Sequence, residues 1–416
     1  MNDTPKIRFS EFTDEWEQRK LFEVLSALQN NTLSRADLCA GQGVAKNVHY
    51  GDVLIKFGEY LDVHRESLPM IADDSVIAKY RASFLQNGDI IVADTAEDET
   101  VGKCTEIAGI DGDIVLSGLH TIPYRPLFSF ASGYLGYYMN SDSYHHQLFP
   151  LMQGIKVTSI SKTAMQNTVM CYPKSEDEQA EISAFFRDLD NLITLHQRKY
   201  EQMISVKKSM LGRLFPYDDA KNPQIRFGFS EDWEEVKLGG IIFPYSDPVE
   251  TPHDGYTRLG IRSHGKGTFH NYVQAGQELE TAQMHRVTAH KFIVNITFGW
   301  EHAVAITNEQ DAGKLVSHRF PQFSMTEAID DGFLKYVILD ERFKHHLFLS
   351  SPGGAGRNRV LNIPQMLEYK MRIPKIEEQR QIAGFLDSVN NLIDLYAVKV
   401  QKLKQIKSAC LDKMFI

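Results

Sequence analysis

The residues of this 416-residue chain that are best suited to chemistry lie close together between Tyr256 and Asn271. Arginine and lysine bind phosphates and guanine edges, and asparagine binds adenine edges. A cluster of these residue types therefore predicts contacts with nucleic acid. The candidates in this stretch are Tyr256, Arg258, Arg262, His264, Lys266 and Asn271, and the pattern recurs in a glycine-rich loop at Arg357, Asn358 and Arg359.

A second set of candidates of the same chemical kind lies in the first half of the chain. Its members are Lys46, Asn47, Lys56, Lys79, Arg81, Gln153, Lys156 and Thr158. For each of these residues the alternative interpretation is a solvated surface side chain without a partner, because polar and charged residues are mostly exposed in any globular protein. The prediction therefore depends on the sets as wholes rather than on any single member.

The second half of the chain raises two other possibilities, a phosphate-binding loop and a metal site. Residues 260–267 have the spacing of a phosphate-binding loop, but Gly267 stands where magnesium binding needs serine or threonine. A flexible basic loop that touches a DNA backbone and a plain surface loop are the alternatives for this stretch. Histidines are concentrated between His253 and His318, yet no pair combines close ligand spacing with cysteine or carboxylate support, so no metal site is expected.

Sequence signatures of catalysis are missing from the chain. No Asp/Asn-Pro-Pro-Tyr/Phe tetrapeptide, which is typical of amino-methyltransferases, occurs in it, and neither does a dinucleotide-binding glycine motif or a His-Glu-x-x-His zinc motif. Trp300, beside Glu301 and His302, could stack on a distorted base or belong to the core. We therefore expect a binding protein that needs no cofactor of its own.

One helix that is written twice organises the rest of the sequence. The segments that begin at Pro173 and Pro374 stay aligned at a constant offset of 200 residues beyond Glu178 and Glu378. Each starts with proline and an acidic first turn and gathers lysines towards its end, as helices do. Internal duplication explains this match.

Each copy of the helix repeats apolar residues every seven positions. In the second copy the row contains Ile382, Val389 and Leu403. A sustained seven-residue period predicts a coiled-coil seam, and about 40 residues make a rod of roughly 60 Å. His196 and Lys207 interrupt the first seam, either as partly exposed positions with extended stems or as polar residues that fix the helix register.

The segment that opens the chain is duplicated as well. Residues 5–21 return as residues 223–238, with Trp16 and Trp233 equivalent. Between each opening segment and each helix, short β-type runs alternate with turns, which predicts mixed α/β globules. We therefore divide the chain into a first recognition domain (1–172), a first helix (173–216), a second recognition domain (217–373) and a second helix (374–416).

The amino-acid composition limits the classes of protein to which this chain can belong. The chain is 43% apolar and 24% charged, which is typical of a globular protein of two or three domains. It has no membrane-spanning run, no signal-peptide core and no paired cysteine spacing, so we expect a cytoplasmic protein. The net charge of −9 means that any nucleic-acid contact must come from local basic patches.

In this doubled order of opening segment, globule and helix, the sequence resembles the specificity subunits of type I restriction–modification enzymes. The resemblance covers the whole chain and depends on the Pro-x-Ile-Arg-Phe openings and on the Pro-Lys helix starts with Glu178-Gln179 and Glu378-Gln379. It implies an α+β fold in which two homologous target-recognition domains are separated by two long antiparallel coiled-coil helices with internal pseudo-two-fold symmetry.

The resemblance also implies a function. Each domain would read one half of an asymmetric, bipartite site on double-stranded DNA, and the helices would set the gap between the halves. Two methyltransferase subunits and two ATP-driven restriction subunits would dock on the chain, and S-adenosylmethionine, ATP and magnesium would be bound by those partners. The alternatives are a coiled-coil adaptor that binds only proteins and a methyltransferase- or endonuclease-derived chain with its own activity.

Overall fold

A computed structural model describes residues 4–41, 43–217, 220–278, 283–353 and 359–416. These residues form two compact units. Unit 1 comprises Met1–Arg198 together with Tyr396–Ile416, and unit 2 comprises Lys199–Leu395. Each long helix of the chain therefore contributes its start to one unit and its end to the other.

Unit 1 is built from short strands and short helices ahead of the first long helix. The strands are β1 (Glu17–Lys20), β2 (Leu25–Ala27), β3 (Leu38–Cys39), β4 (Ala45–Val48), β5 (Tyr60–Asp62), β6 (Met70–Ile71), β7 (Ile90–Ala93), β8 (Thr95–Ala96), β9 (Cys104–Ala108), β10 (Val115–Ser117), β11 (Thr121–Pro126), β12 (Thr158–Ser159) and β13 (Val169–Tyr172). The helices are α1 (Leu21–Val24), α2 (Tyr50–Ile55), α3 (Asp74–Lys79), α4 (Tyr134–Met139), α5 (Asp142–His145) and α6 (Lys162–Met165), with 3₁₀ turns at Arg35–Asp37, Arg81–Ser83 and His146–Leu151.

The strands of unit 1 form one five-stranded sheet, one four-stranded sheet and two small ribbons. The five-stranded sheet has the order β2-β11-β7-β9-β5, and the four-stranded sheet has the order β10-β4-β6-β3. Strands β7 and β9 lie inside the five-stranded sheet and are buried along their whole length. The ribbon β1-β13 pairs the opening segment with the strand that leads into the first long helix.

Unit 2 repeats this plan with fewer elements. Its strands are β14 (Glu234–Lys237), β15 (Ile242–Tyr245), β16 (Pro248–Val249), β17 (Tyr256–Ile261), β18 (Thr268–Val273), β19 (Met284–Arg286), β20 (Phe292–Val294), β21 (Val304–Ile306), β22 (Leu315–Ser317), β23 (Gln322–Met325) and β24 (Lys370–Ile373). They form a four-stranded sheet (β15-β23-β20-β21), a five-stranded sheet (β16-β19-β22-β17-β18) and the ribbon β14-β24.

The helices of the chain include two of 39 residues each, α7 (Glu176–Leu214) and α12 (Ile376–Met414). The others after α7 are α8 (Leu238–Ile241), α9 (Asp331–Val337), α10 (Glu341–Leu349) and α11 (Ile363–Leu367), with a 3₁₀ turn at Gly299–Glu301. The predicted fold, two mixed α/β domains with two long helices, is confirmed. No helix within the described residues has the length and apolarity that crossing a membrane requires.

The two long helices pack in opposite directions inside each unit. In unit 1, Phe186 from the start of α7 stacks on Phe415, which follows the end of α12, with ring centroids 5.7 Å apart. In unit 2, Phe215 follows the end of α7 and lies against Phe333 in the same core as Leu386 from the start of α12. The core of each unit is therefore completed by the end of the helix that starts in the other unit.

The seam between the helices carries the polar residues that interrupt the seven-residue pattern. His196 stacks on Tyr396, its equivalent in the second copy, with ring centroids 5.7 Å apart. A contact between equivalent residues is what a local two-fold relation between two helices produces. His196 is therefore a partly exposed seam residue that contacts the partner helix.

A buried carboxyl group on the five-stranded sheet of unit 1 binds the start of helix α4. Glu106 on β9 is 2% exposed and accepts hydrogen bonds from the backbone N–H groups of Gly133 (2.5 Å) and Gly136 (3.1 Å) at the start of α4. Gly133 has φ +90°, and a side chain there would meet the Ser183 hydroxyl of α7 at 2.5 Å. Burial raises the pKa of Glu106 to about 7, although these N–H groups oppose the shift.

We predict that Glu106 makes the stability of unit 1 depend on pH. Since the folded state holds this proton more tightly, the stabilisation is fully present below pH 4.5, the ordinary value, and is lost as the pH rises to about 7. The loss should be on the order of 3 kcal/mol. Urea unfolding followed by tryptophan fluorescence between pH 4.5 and 8 should show this decline in the wild type and a flatter profile in Glu106→Gln. The exposed control Glu99→Gln should behave like the wild type, and an unchanged decline in Glu106→Gln would contradict the assignment.

Candidate nucleic-acid interface

The duplicated opening segment ties together the two long helices that position each set of candidates. In unit 1 the Ile7 N–H donates to the Lys413 carbonyl at the end of α12 (2.9 Å). The adjacent Arg8 guanidinium donates two hydrogen bonds, of 2.7 and 2.9 Å, to the Glu178 carboxylate in the first turn of α7. Charge-assisted bidentate pairs of this kind are strong and directional. The opening segment therefore fixes the start of one helix against the end of the other.

Unit 2 repeats this arrangement with the helices exchanged. The Ile225 N–H donates to the Arg213 carbonyl at the end of α7 (3.0 Å), and Arg226 pairs with Glu378 in the first turn of α12 through bonds of 2.9 and 2.5 Å. From the sequence alone, these residues indicate only that the segment is repeated. Their identity at equivalent places in both halves was the signal that could have assigned them this structural role.

The glutamine that follows each of these glutamates binds the globule. The Gln179 side chain accepts from the Ala131 N–H (2.9 Å) and donates to the Pro173 carbonyl (2.8 Å). Gln379 accepts from the Asp330 N–H (2.8 Å) and donates to the Pro374 carbonyl (2.8 Å). Both side chains are buried, so the repeated Glu-Gln pair is a structural joint rather than part of a binding surface.

The first group of candidates in unit 2 lies on one β-hairpin. Strands β17 and β18 pair over six residues, and Arg258 and Asn271 stand directly opposite each other. Strand β18 is the edge of its sheet, and Asn271 is exposed. A two-stranded ribbon of this kind fits the major groove of DNA, where arginine reads guanine and asparagine reads adenine.

The turn of this hairpin carries three further candidates. Arg262 donates to the Thr268 carbonyl and lies over the Phe269 ring, and His264 and Lys266 are exposed. The turn ends in strand β18 and not in a helix, so the P-loop-like spacing of residues 260–267 does not form a phosphate-binding loop. Of the alternatives considered for this stretch, a basic surface turn agrees with the structure.

The hairpin turn is joined to the glycine-rich loop through the segment around Trp300. The His264 N–H donates to the Glu301 carbonyl (2.8 Å), and the Ser263 hydroxyl donates to the Glu301 carboxylate (2.6 Å). The Arg359 guanidinium lies 5.9 Å from the centre of the neighbouring Trp300 ring and 4.5 Å from that of Phe348. Trp300 is half-buried, so part of its ring stays accessible. The turn, the aromatic segment and Arg359 therefore form one continuous surface.

Three candidates of unit 2 do not add to this surface. Tyr256 is buried in a small apolar cluster with Met284 and Leu315, where it has a packing role. Arg357 and Asn358 lie outside the described residues. Tyr256 could not be separated from its neighbours by sequence because tyrosine is common both in cores and at interfaces.

In unit 1 the loop before α6 corresponds to the glycine-rich loop of unit 2. Gln153 and Ser159 exchange backbone hydrogen bonds of 2.9 and 2.8 Å, which closes the loop and leaves Lys156 exposed. Thr158, on β12, is half-buried and pairs with Ala96 on β8. The Ile160 N–H donates to the Asp94 carbonyl (2.8 Å), as Leu361 does to Ile296 (2.8 Å) in unit 2. The residues that follow these two loops therefore make equivalent backbone contacts in their units.

The remaining candidates of unit 1 differ in how accessible they are. Lys46 is bonded to the Asp113 carboxylate (2.9 Å) and to the Val63 carbonyl, and Lys56 donates to the Ser67 carbonyl. Asn47 is fully buried and accepts a hydrogen bond of 2.6 Å from the Asn31 amide. Lys79 and Arg81 are exposed. Asn47 is thus placed in the interior, which its polar side chain alone did not reveal.

No group of three or more histidine, cysteine or acidic side chains in the described part of the chain is arranged to hold a metal ion. The histidines that are concentrated between His253 and His318 have other partners. His270 bonds Asp311 (2.8 Å), His290 bonds Asp331 (2.6 Å), and His302 bonds the Ile338 carbonyl (2.6 Å). Their concentration in the sequence reflects separate structural contacts.

Two features define the class of this protein. Each of its two units has an equivalent loop, and one pair of long helices contributes to both units. A family model, the type I restriction modification DNA specificity domain, matches residues 230–407. The chain is 22% identical over 422 residues to a putative type I restriction enzyme MjaX specificity subunit of Methanocaldococcus jannaschii, covering 98% of this chain and 94% of that protein. The resemblance of the sequence to the specificity subunits of type I restriction–modification enzymes is therefore confirmed.

Two further proteins are similar to this chain. The MjaVIII specificity subunit of the same organism is 25% identical over 281 residues, which cover 62% of this chain and 64% of that protein. A crystal structure of a type I restriction–modification S subunit from M. genitalium has a TM-score of 0.58 and 12% identity, over 99% of each chain. At that identity the likeness shows a shared fold.

We predict that Asn47 stabilises unit 1 and does not contact a ligand. Asn47→Ala removes the acceptor of the buried Asn31 amide and should lower the free energy of unfolding by about 1–3 kcal/mol. Urea unfolding should detect this loss, whereas Gln153→Ala, which removes an exposed side chain, should leave the midpoint unchanged. Unchanged stability of Asn47→Ala together with weakened DNA binding would reverse the assignment.

Proposed function

We propose that this chain is the DNA-reading subunit of a type I restriction–modification complex. In this proposal each unit reads one half of an asymmetric, bipartite site on double-stranded DNA. The observation that carries the proposal is the convergence in unit 2 of the β17–β18 hairpin, the Trp300 segment and Arg359 on one surface, with an equivalent loop at residues 153–159 in unit 1. The two surfaces differ in residue content, so the two half-sites would differ in sequence.

Contacts within the proposed surface divide into two kinds. Lys266 and Lys156 are exposed single charges and suit phosphates, whereas the Arg258–Asn271 pair suits base edges. Arg359 is held over Phe348 and Trp300, so little side-chain freedom remains to be lost when it binds. Lys46 and Lys56, which are bonded within unit 1, contribute less in this scheme.

The long helices supply a candidate docking surface for partner subunits. Leu192 and Leu195 of α7 are 43% and 47% exposed, and their equivalents Leu392 and Leu395 of α12 are 41% and 46% exposed. Residues three apart on a helix share a face, so each unit presents the same apolar patch. A surface that occurs twice fits two copies of one partner, and we assign it to the methyltransferase subunit.

The chain itself is proposed to be non-catalytic. S-adenosylmethionine would be bound by the methyltransferase subunits, and ATP and magnesium by two restriction subunits where these are present. The net charge of −9 gives the isolated chain little general attraction for DNA, so most phosphate contacts would come from the partners.

We predict that two substitutions in the hairpin have different effects on DNA binding by the assembled complex. Asn271→Ala should cost about 1–3 kcal/mol only on DNA with the cognate half-site of unit 2. Lys266→Ala should weaken binding on all sequences and lower the salt slope by about one. Binding of oligonucleotide variants at several salt concentrations measures both effects. Unchanged affinity in both variants would remove the hairpin from the proposed interface.

We predict that the length of the helices sets the gap between the half-sites. Seven residues inserted after Arg198 and seven after Val398 keep the seam period and add about 10 Å to each helix. The gap should then grow by about three base pairs while the half-site sequences stay the same. Long-read mapping of methylated sites in cells that express the chain with its methyltransferase measures this. The control insertion in α7 alone should impair folding, because it shifts one helix against the other. Altered half-sites with an unaltered gap would refute the role of the helices.

A further inference from the structure

A lysine at the same position of each long helix has different surroundings in the two units. In unit 1, Lys407 of α12 donates to the carboxylates of Asp190 and Glu59, each at 2.7 Å, and its side chain is 14% exposed. The Tyr137 hydroxyl donates to the same Asp190 carboxylate (2.8 Å). Unit 1 thus supplies two carboxylates for this ammonium group from its own chain.

In unit 2 the equivalent lysine, Lys207 of α7, lines a cavity of about 970 Å³. Asn390 stands where unit 1 has Asp190, and its amide donates to the Tyr336 hydroxyl (2.7 Å). Lys207 makes no ion pair with any residue in the described ranges. One carboxylate of the unit 1 site has therefore been replaced by a neutral amide.

The second carboxylate is missing because the sheets differ. Glu59 precedes β5, the fifth strand of the sheet in unit 1, and its carbonyl accepts from the Glu106 N–H (2.9 Å). The corresponding sheet of unit 2 ends at β21, and beside it the Gly265 N–H donates to the His302 carbonyl (2.9 Å). Glycine brings no side chain to the cavity, so no acidic group reaches Lys207 from this edge.

The other charged groups that line the cavity are neutralised or solvated. Lys335 donates to Asp387 (2.9 Å), and Lys344 donates to Glu341 (2.8 Å). Asp340 accepts from Arg342, and Asp394 is exposed to solvent. Among the described residues the lining thus offers one ammonium group without a carboxylate. A single carboxylate matches this single charge, whereas binding of a polyanion such as DNA depends on several basic residues acting together.

We propose that the cavity beside Lys207 binds an acidic side chain of the methyltransferase subunit that docks on unit 2. This rests on the proposed function and adds to it. Unit 1 shows that a protein carboxylate is the natural partner of this lysine. The cavity is also continuous with the apolar docking surface, because Ile204 lines it and is 42% exposed, and Asn391 and Asp394 line it next to Leu392 and Leu395. A segment lying on that surface can place its carboxylate against Lys207.

The duplication supplies the variants that test the proposal. Lys207→Gln removes the charge, and Asn390→Asp recreates the acid of unit 1, which pairs with Lys207 inside the chain and closes the site. Gln381→Glu is the matched control, because it adds the same charge at an exposed position of α12 that does not line the cavity. Titration of the full-length chain with its methyltransferase subunit by native mass spectrometry and calorimetry resolves the binding of the two copies. Thermal unfolding of each free variant shows whether the fold is intact.

We expect Lys207→Gln and Asn390→Asp to weaken one of the two binding steps about tenfold or more, since truncating a charge pair raises the dissociation rate. Asn390→Asp should not lower the melting temperature, and Gln381→Glu should leave both steps unchanged. Two unchanged binding steps in both variants would overturn this proposal alone. A wild-type chain that binds no methyltransferase would overturn the proposed function as well. Weaker DNA binding by Lys207→Gln with normal assembly would assign the cavity to a phosphate instead.

Discussion

The structure depends on how the opening segment of each half joins the start of one long helix to the end of the other. In unit 1, Ile7 binds the last turn of α12 and Arg8 binds Glu178 in the first turn of α7, and Ile225 and Arg226 repeat this in unit 2. The backbone bond satisfies a carbonyl that the end of a helix leaves without an intrahelical partner. The ion pair fixes direction as well as distance, because its geometry is bidentate. Neither unit can complete its core without a helix end that arrives from the other half of the sequence.

This exchange explains why the framing residues repeat so closely while the globules differ. Phe215 and Phe415 each follow the end of a long helix. Each must fit against the tryptophan of an opening segment, Trp233 for Phe215 and Trp16 for Phe415. A change in either copy disturbs packing, and close-packed cores tolerate little change in volume. The strands between the opening segments and the long helices do not carry this constraint, so unit 1 has β5 where unit 2 has a long hairpin. The sites that differ between the units, the hairpin surface and the cavity at Lys207, both lie where the sheets diverge.

Electrostatics separates the structural cations of this chain from those that we propose to bind DNA. Arg8, Arg226 and Lys407 are mostly buried and paired with carboxylates, which fixes helices rather than binding a ligand. Lys156 and Lys266 are exposed and stand on loops. In an acidic protein this division matters, because only unpaired local charge can attract a nucleic acid.

Much of the architecture could be predicted from the sequence alone. The duplication, the two helices with their seven-residue seam and the mixed α/β globules follow from periodicities of 7 and 2 residues, which depend only on local geometry. The sequence also grouped Arg258, Lys266 and Asn271 as candidates, and the three residues lie on one hairpin of unit 2. It could not show that Asn47 and Tyr256 are buried, or that Glu178 and Glu378 join the long helices to the opening segments. It also could not show that Lys407 forms ion pairs whereas Lys207 forms none with the described residues. Those outcomes depend on contacts between residues as far apart as Glu59 and Lys407, and only the tertiary structure brings such residues within hydrogen-bonding distance.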